Sequence, residues 1–133
     1  MAVANLDAAR FEEKVLGVAD TVVVDVWAPW CGPCRQMEPL FEQVAEEQGA
    51  HARFYKLNSD ENQALTRSYK VLAIPTMLYF RHGRLVARKS GVQRPDAIAK
   101  QVQALAAMNA EEAEREEITG LFRNPLRKLF RRK

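Results

Sequence analysis

The chain has 133 residues, 47% of them hydrophobic, and carries 20 Lys+Arg against 17 Asp+Glu. That length supports one domain with a proper core and excludes two ordinary ones, and the composition excludes a disordered chain. No apolar run approaches the roughly 20 residues of a membrane-spanning helix. The opening stretch, "MAVANLDAARFEEK", has no basic segment followed by an apolar one, so a secretory signal is not expected and the cytoplasm is the expected compartment.

In chain order, "AVANL" reads as a short strand. Asp7 stands where a helix N-cap belongs, before "AARFEEKVLGV", in which Phe11, Val15 and Val18 fall at helical spacing. "TVVVDVWA" is a β-branched run without clean alternation, the pattern of a central strand buried on both faces. Cys31 opens a long helix in which Met37, Leu40, Phe41, Val44 and Ala45 recur at three and four. Pro39 is expected to kink it and Gly49 to end it. "ARFYKLN" reads as a second central strand, and "SDENQALTRSYKV" as a short helix capped by Ser59 or Asp60. "TMLYFRHGRLVARKSG" reads as a hairpin turning at Gly83. "RPDAIAKQVQALAAM" closes with a helix whose Ile98, Val102 and Leu105 share one face. The early β-α alternation implies parallel strands with right-handed crossovers, and the hairpin adds antiparallel ones. The expected fold is α/β, with a central mixed β-sheet flanked by helices on both faces.

Both cysteines lie in "WAPWCGPCRQMEP". A structural zinc site needs four ligands, and beyond Cys31 and Cys34 the chain offers only His51 and His82, far apart, so no metal is expected. A disulfide across two residues closes too small a loop to restrict the unfolded chain much, which weakens a purely structural role. Redox chemistry accounts for the surroundings better. Cys31 follows a strand and begins a helix, where unpaired backbone N–H groups and the helix dipole stabilise a thiolate. Cys34, one turn on, is expected to be the more buried sulfur and within reach of Cys31. Pro33 stiffens the turn. Cys31 attacks a substrate disulfide to form a mixed disulfide, and Cys34 then attacks Cys31 and releases the reduced substrate.

"WAPWCGPCR" resembles the active site of the thioredoxin family almost letter for letter, and the resemblance extends over residues 2–107. It implies a thioredoxin fold for residues 1–107 and a protein-disulfide reductase without a bound cofactor, recharged by a thioredoxin reductase drawing on NADPH. Its substrates are disulfide-containing proteins, and a monomer is expected. Asp25, an acid in an apolar strand, matches the family's proton acceptor toward Cys34, and Lys56 matches the lysine near that acid. "AIPTM" resembles the family's Ile-Pro-Thr, which implies a cis Ile74–Pro75 bond and a backbone at Ile74 that pairs with substrate. Trp30, Gly32, Pro33, Gly91 and Val92 match the substrate-contact surface. Arg35 departs from the family's common lysine but keeps its charge, and Ser59 and Ser90 depart from common aliphatic residues and bear on substrate preference. The rival reading is a thioredoxin-fold binding or scaffold module recruited through its C-terminal end.

Residues 108–133 form a charged extension that the resemblance does not cover. Up to Ala110 the charges nearly cancel, with 13 Lys+Arg and 12 Asp+Glu. The remaining residues hold 5 acids followed by most of 7 cations. An acidic, solvated helix broken at Gly120 is expected, then a basic amphipathic stretch over 121–133. Three readings of that stretch stay open: a solvated tail, weak contact with an anionic membrane surface, or docking to an acidic protein or nucleic acid. No specific nucleic acid is expected.

Overall fold

The computed structural model describes residues 2–120 and the backbone of 122–123. Strands β1 (Val3–Leu6), β2 (Val22–Trp27), β3 (Arg53–Asn58), β4 (Thr76–Arg81) and β5 (Arg84–Ser90) form one sheet in the order β1-β3-β2-β4-β5. β3 pairs in parallel with β1 and with β2, while β4 runs antiparallel to β2 and β5. The expected mixed sheet is therefore present.

The helices are α1 (Ala8–Phe11), which continues as one π-helical stretch over Glu12–Leu16, α2 (Gly32–Gln48), α3 (Gln63–Ser68), α4 (Pro95–Leu105) and α5 (Ala110–Glu116). Asp7 caps α1 by accepting from the Arg10 N–H at 3.0 Å. Pro39 lies inside α2 without dividing it, and Gly49 is its C-cap. α3 starts later than expected: Ser59 and Asp60 lie in a turn, and Asn62 takes the cap position.

Alternation along β2 divides the core. Val22, Val24 and Val26 join one cluster with Phe11, Val15, Leu57, Leu78 and Phe80, with Leu65 and Tyr69 of the α3 region packed against it. Val23 faces the other way, toward Met37, Phe41 and Val44 of α2 and Ile98, Val102 and Leu105 of α4. Both faces are covered, which explains the unbroken β-branched run. Asp25 has the parity of Val23 and so faces the α2 side.

The β4–β5 hairpin turns on His82 and Gly83, at φ 52° and 72°, a two-residue loop with both residues left-handed. Gly83 does more than turn the chain. A Cβ there would collide with the carbonyl of Leu16, and His82 N–H donates to the Ala19 carbonyl at 3.1 Å. The hairpin tip is thus closed onto the loop after α1.

The packed body also continues past residue 107. Asn109 and Glu112 form a capping box at the start of α5, and Ala113 is fully buried in the α2–α4 cluster. Arg81 donates to the carbonyls of Ala106 (2.9 Å) and Met108 (3.0 Å) and to Thr21 Oγ1 (3.2 Å). Arg84 pairs with Glu117 at 2.8 Å. The acidic helix is docked rather than solvated, because Ala113 is small enough to fit flush against the core. Gly120, at φ 72°, turns β6 (Ile118–Thr119) toward β7 (Phe122–Arg123). The basic stretch from residue 124, with Leu121, lies outside the described residues.

Candidate active site

β2 ends at Trp27, and Cys31 N–H donates to the Ala28 carbonyl at 3.2 Å, which turns the chain into α2. Cys31 is the N-cap of that 17-residue helix. Its Sγ accepts the Cys34 N–H at 3.2 Å, the position a capping oxygen normally takes. Cys31 and Cys34 are joined as a disulfide. Pro33 sits in the first turn of α2, where its missing N–H leaves no hydrogen bond unmade. Both cysteines are 4% exposed, so burial does not rank them as expected. Ala28, Trp27 and Ile74 pack around the pair. What distinguishes Cys31 is the cap position at the positive end of the helix.

The Ile74–Pro75 bond is cis, and the Ile74 carbonyl oxygen lies 3.7 Å from Cys31 Sγ. Gly91 N–H donates to the Pro75 carbonyl at 2.8 Å, which ties the loop carrying Gly91 and Val92 to this segment. Gly91 has φ 92°, a conformation that favours glycine. Trp30 is 66% exposed, and its Nε1–H donates to the Asp60 carboxylate at 2.9 and 3.2 Å. Leu72 and Val92 are also exposed apolar side chains. Trp30, Leu72 and Val92 thus stand on the three loops that meet at the disulfide.

Asp25 is buried, and its Oδ1 has no hydrogen-bond partner. Burial pushes its pKa from 3.8 up to about 7; Lys56 opposes the rise and Glu38 adds to it. Lys56 is the cross-strand partner of Asp25 in the β2–β3 register. Its ammonium nevertheless pairs with Glu38 at 3.2 Å and lies 5.2 Å from the centroid of the Trp27 ring. Among the described residues no group of three or more His, Cys, Asp or Glu side chains is placed to hold a metal ion.

The family model described as Thioredoxin matches residues 2–104. The chain belongs to the thioredoxin family. Similar proteins include "Thioredoxin" of Pseudomonas aeruginosa, 38% identical over 97 residues, which are 73% of this chain and 90% of that one. "Thioredoxin 1" of Synechococcus elongatus is 38% identical over 78 residues, 59% of this chain and 73% of that one. "Thioredoxin M-type, chloroplastic" of Pisum sativum is 42% identical over 75 residues, 56% of this chain but only 44% of that one. With the thioredoxin fold and the Cys31–Cys34 disulfide, the family makes this chain a thiol–disulfide oxidoreductase.

Of the residues expected at the site, Trp30, Gly32 and Pro33 adjoin Cys31 and Cys34 in the chain, Ile74 packs against the pair, and Gly91, followed by Val92, is tied to Pro75, while Asp25 and Lys56 are cross-strand partners on β2 and β3. Three neighbours were not anticipated. Asp60 orients Trp30, and Leu72 widens the apolar surface. Glu38 takes Lys56, and the sequence did carry a signal for it, four residues after Cys34 and so on the same helix face.

Proposed function

We propose that the chain reduces disulfides of partner proteins through the Cys31–Cys34 dithiol. The observation that carries this reading is Cys31 as the cap of α2, bonded to Cys34 and receiving its N–H. In the reduced protein that same N–H favours a thiolate on Cys31. The thiolate attacks one sulfur of a substrate disulfide and the other sulfur leaves as thiolate. Cys34 then loses its proton to Asp25 and attacks Cys31. The second substrate sulfur leaves, and two electrons have passed from the dithiol to the substrate. Lys56 sits beside the proton acceptor as its cross-strand neighbour.

Substrate docks on Trp30, Val92 and the Ile74 backbone. Apart from its chain neighbours and the backbone of its own helix, nothing lies within 4 Å of a Cβ built on Gly32, so the approach over Gly32 is open to an incoming strand. A thioredoxin reductase, drawing on NADPH, restores the dithiol, and the protein works as a monomer in a reducing compartment such as the cytoplasm.

Variants test the assignment of roles. Cys34→Ser retains the nucleophile and is expected to accumulate mixed disulfides with oxidised substrate, visible by mass spectrometry. Cys31→Ser is expected to form none and to lose reductase activity. Mixed disulfides trapped through Cys34 in the Cys31→Ser protein would reverse the roles. Retention of a biological effect by Cys31→Ser would instead favour the scaffold reading.

A further inference from the structure

Lys56 is misplaced for a simple ion pair. It is the direct β3 neighbour of Asp25 on the α2 side of the sheet, where its flexible stem would bring the ammonium to the buried carboxyl. The ammonium instead lies 3.2 Å from Glu38 Oε2, over the Trp27 ring, and Asp25 Oδ1 is left without a partner. Glu38 follows Cys34 by four residues on α2, so it projects from the same face as the sulfur that Asp25 serves. The charged groups acting on Asp25 are Lys56 from β3 and Glu38 from α2; its partner on β4, Met77, carries no charge.

We propose that Glu38 is a positioning residue for the exchange reaction: it draws the Lys56 ammonium toward solvent and leaves the Asp25 carboxyl unpaired as the proton acceptor for Cys34. This rests on the dithiol-exchange reading above. An aspartate paired with Lys56 would stay ionised well below neutral pH and bind the Cys34 proton weakly. An unpaired one takes it near neutrality, where the thiol must be deprotonated. Glu38 itself is 64% exposed on its side chain, so its pair with Lys56 adds little to folding stability, and replacing it leaves the fold intact.

The deciding measurement is the titration of the Asp25 carboxyl carbon by NMR in the oxidised protein, for wild type, Glu38→Gln, Lys56→Gln and the double variant. Glu38→Gln is expected to lower the Asp25 midpoint by roughly half a unit, because Lys56 is released to Asp25. In the Lys56→Gln background the same change is expected to be clearly smaller. The pH profile of mixed-disulfide resolution is expected to move to lower pH with the midpoint. An unmoved or higher midpoint in Glu38→Gln overturns the proposal, as does an equal shift in both backgrounds. Wild type that reduces substrate disulfides while Glu38→Gln leaves the midpoint unmoved would sink the Glu38 role alone. Wild type that reduces no disulfide would sink the exchange reading and, with it, any catalytic role for Glu38.

Discussion

Asp25 stands at the α2 side of a strand whose other residues are four valines and Trp27, and its energetics follow from that position. Its pKa rises from 3.8 to about 7 on folding. Between those values the folded protein holds a proton that the unfolded chain has released. Stability therefore falls as pH rises through this window, and the loss is complete above about 7. At roughly 1.4 kcal/mol per unit, the loss amounts to a few kcal/mol. Asp25→Asn cannot ionise and keeps the shape. It is expected to be the more stable protein at pH 8 by this amount and to match wild type near pH 4, as denaturant unfolding at the two pH values would measure. The same variant is expected to lengthen the lifetime of the mixed disulfide and to lose the inflection near neutral pH. An unchanged profile would remove Asp25 from the proton path.

At the scale of elements, the β4–β5 hairpin is fixed by a position that admits only glycine. Gly83→Ala places a Cβ against the Leu16 carbonyl at a left-handed φ of 72°. A cost of about 2 kcal/mol is expected, with Tm lower by roughly 5–10 °C in a thermal melt. The redox chemistry should survive, since the hairpin tip contacts the loop after α1 rather than the cysteine loops. "RHGR" announced the turn, but the second reason for glycine was not legible there: Leu16 lies 67 residues away in sequence, and only packing makes them neighbours. α3 shows a similar limit. "SDENQ" offers several good caps, and Asn62 takes the cap position while its side chain is engaged by neighbouring backbone: Oδ1 accepts from Ala8 N–H at 2.9 Å and Nδ2 donates to the Asn58 carbonyl at 2.9 Å.

For the whole molecule, the C-terminal segment through Ile118 belongs to the body. Ending the chain after residue 107 removes the Met108 carbonyl from Arg81, Glu117 from Arg84, and buried Ala113. That truncation is expected to be less stable than a chain ending after Gly120 by about 2–4 kcal/mol, by comparison of denaturation midpoints. Equal midpoints for the two truncations would make α5 a passive appendage. Its docking was hidden because "AEEAERE" has no apolar stripe; one alanine makes the contact, and hydrophobic periodicity does not register a single small residue.

The sequence by itself determined the mixed α/β sheet and the cysteine couple at a helix start. Those features rest on local rules: strand and helix periodicity, turn chemistry, and a motif whose spacing brings two sulfurs together within one helical turn. The tertiary structure decided the equal burial of Cys31 and Cys34, the diversion of Lys56 to Glu38, the second constraint on Gly83 and the docking of α5. Each depends on which of several neighbours, distant in sequence, a side chain meets in space, and periodicity along one segment carries no record of that choice.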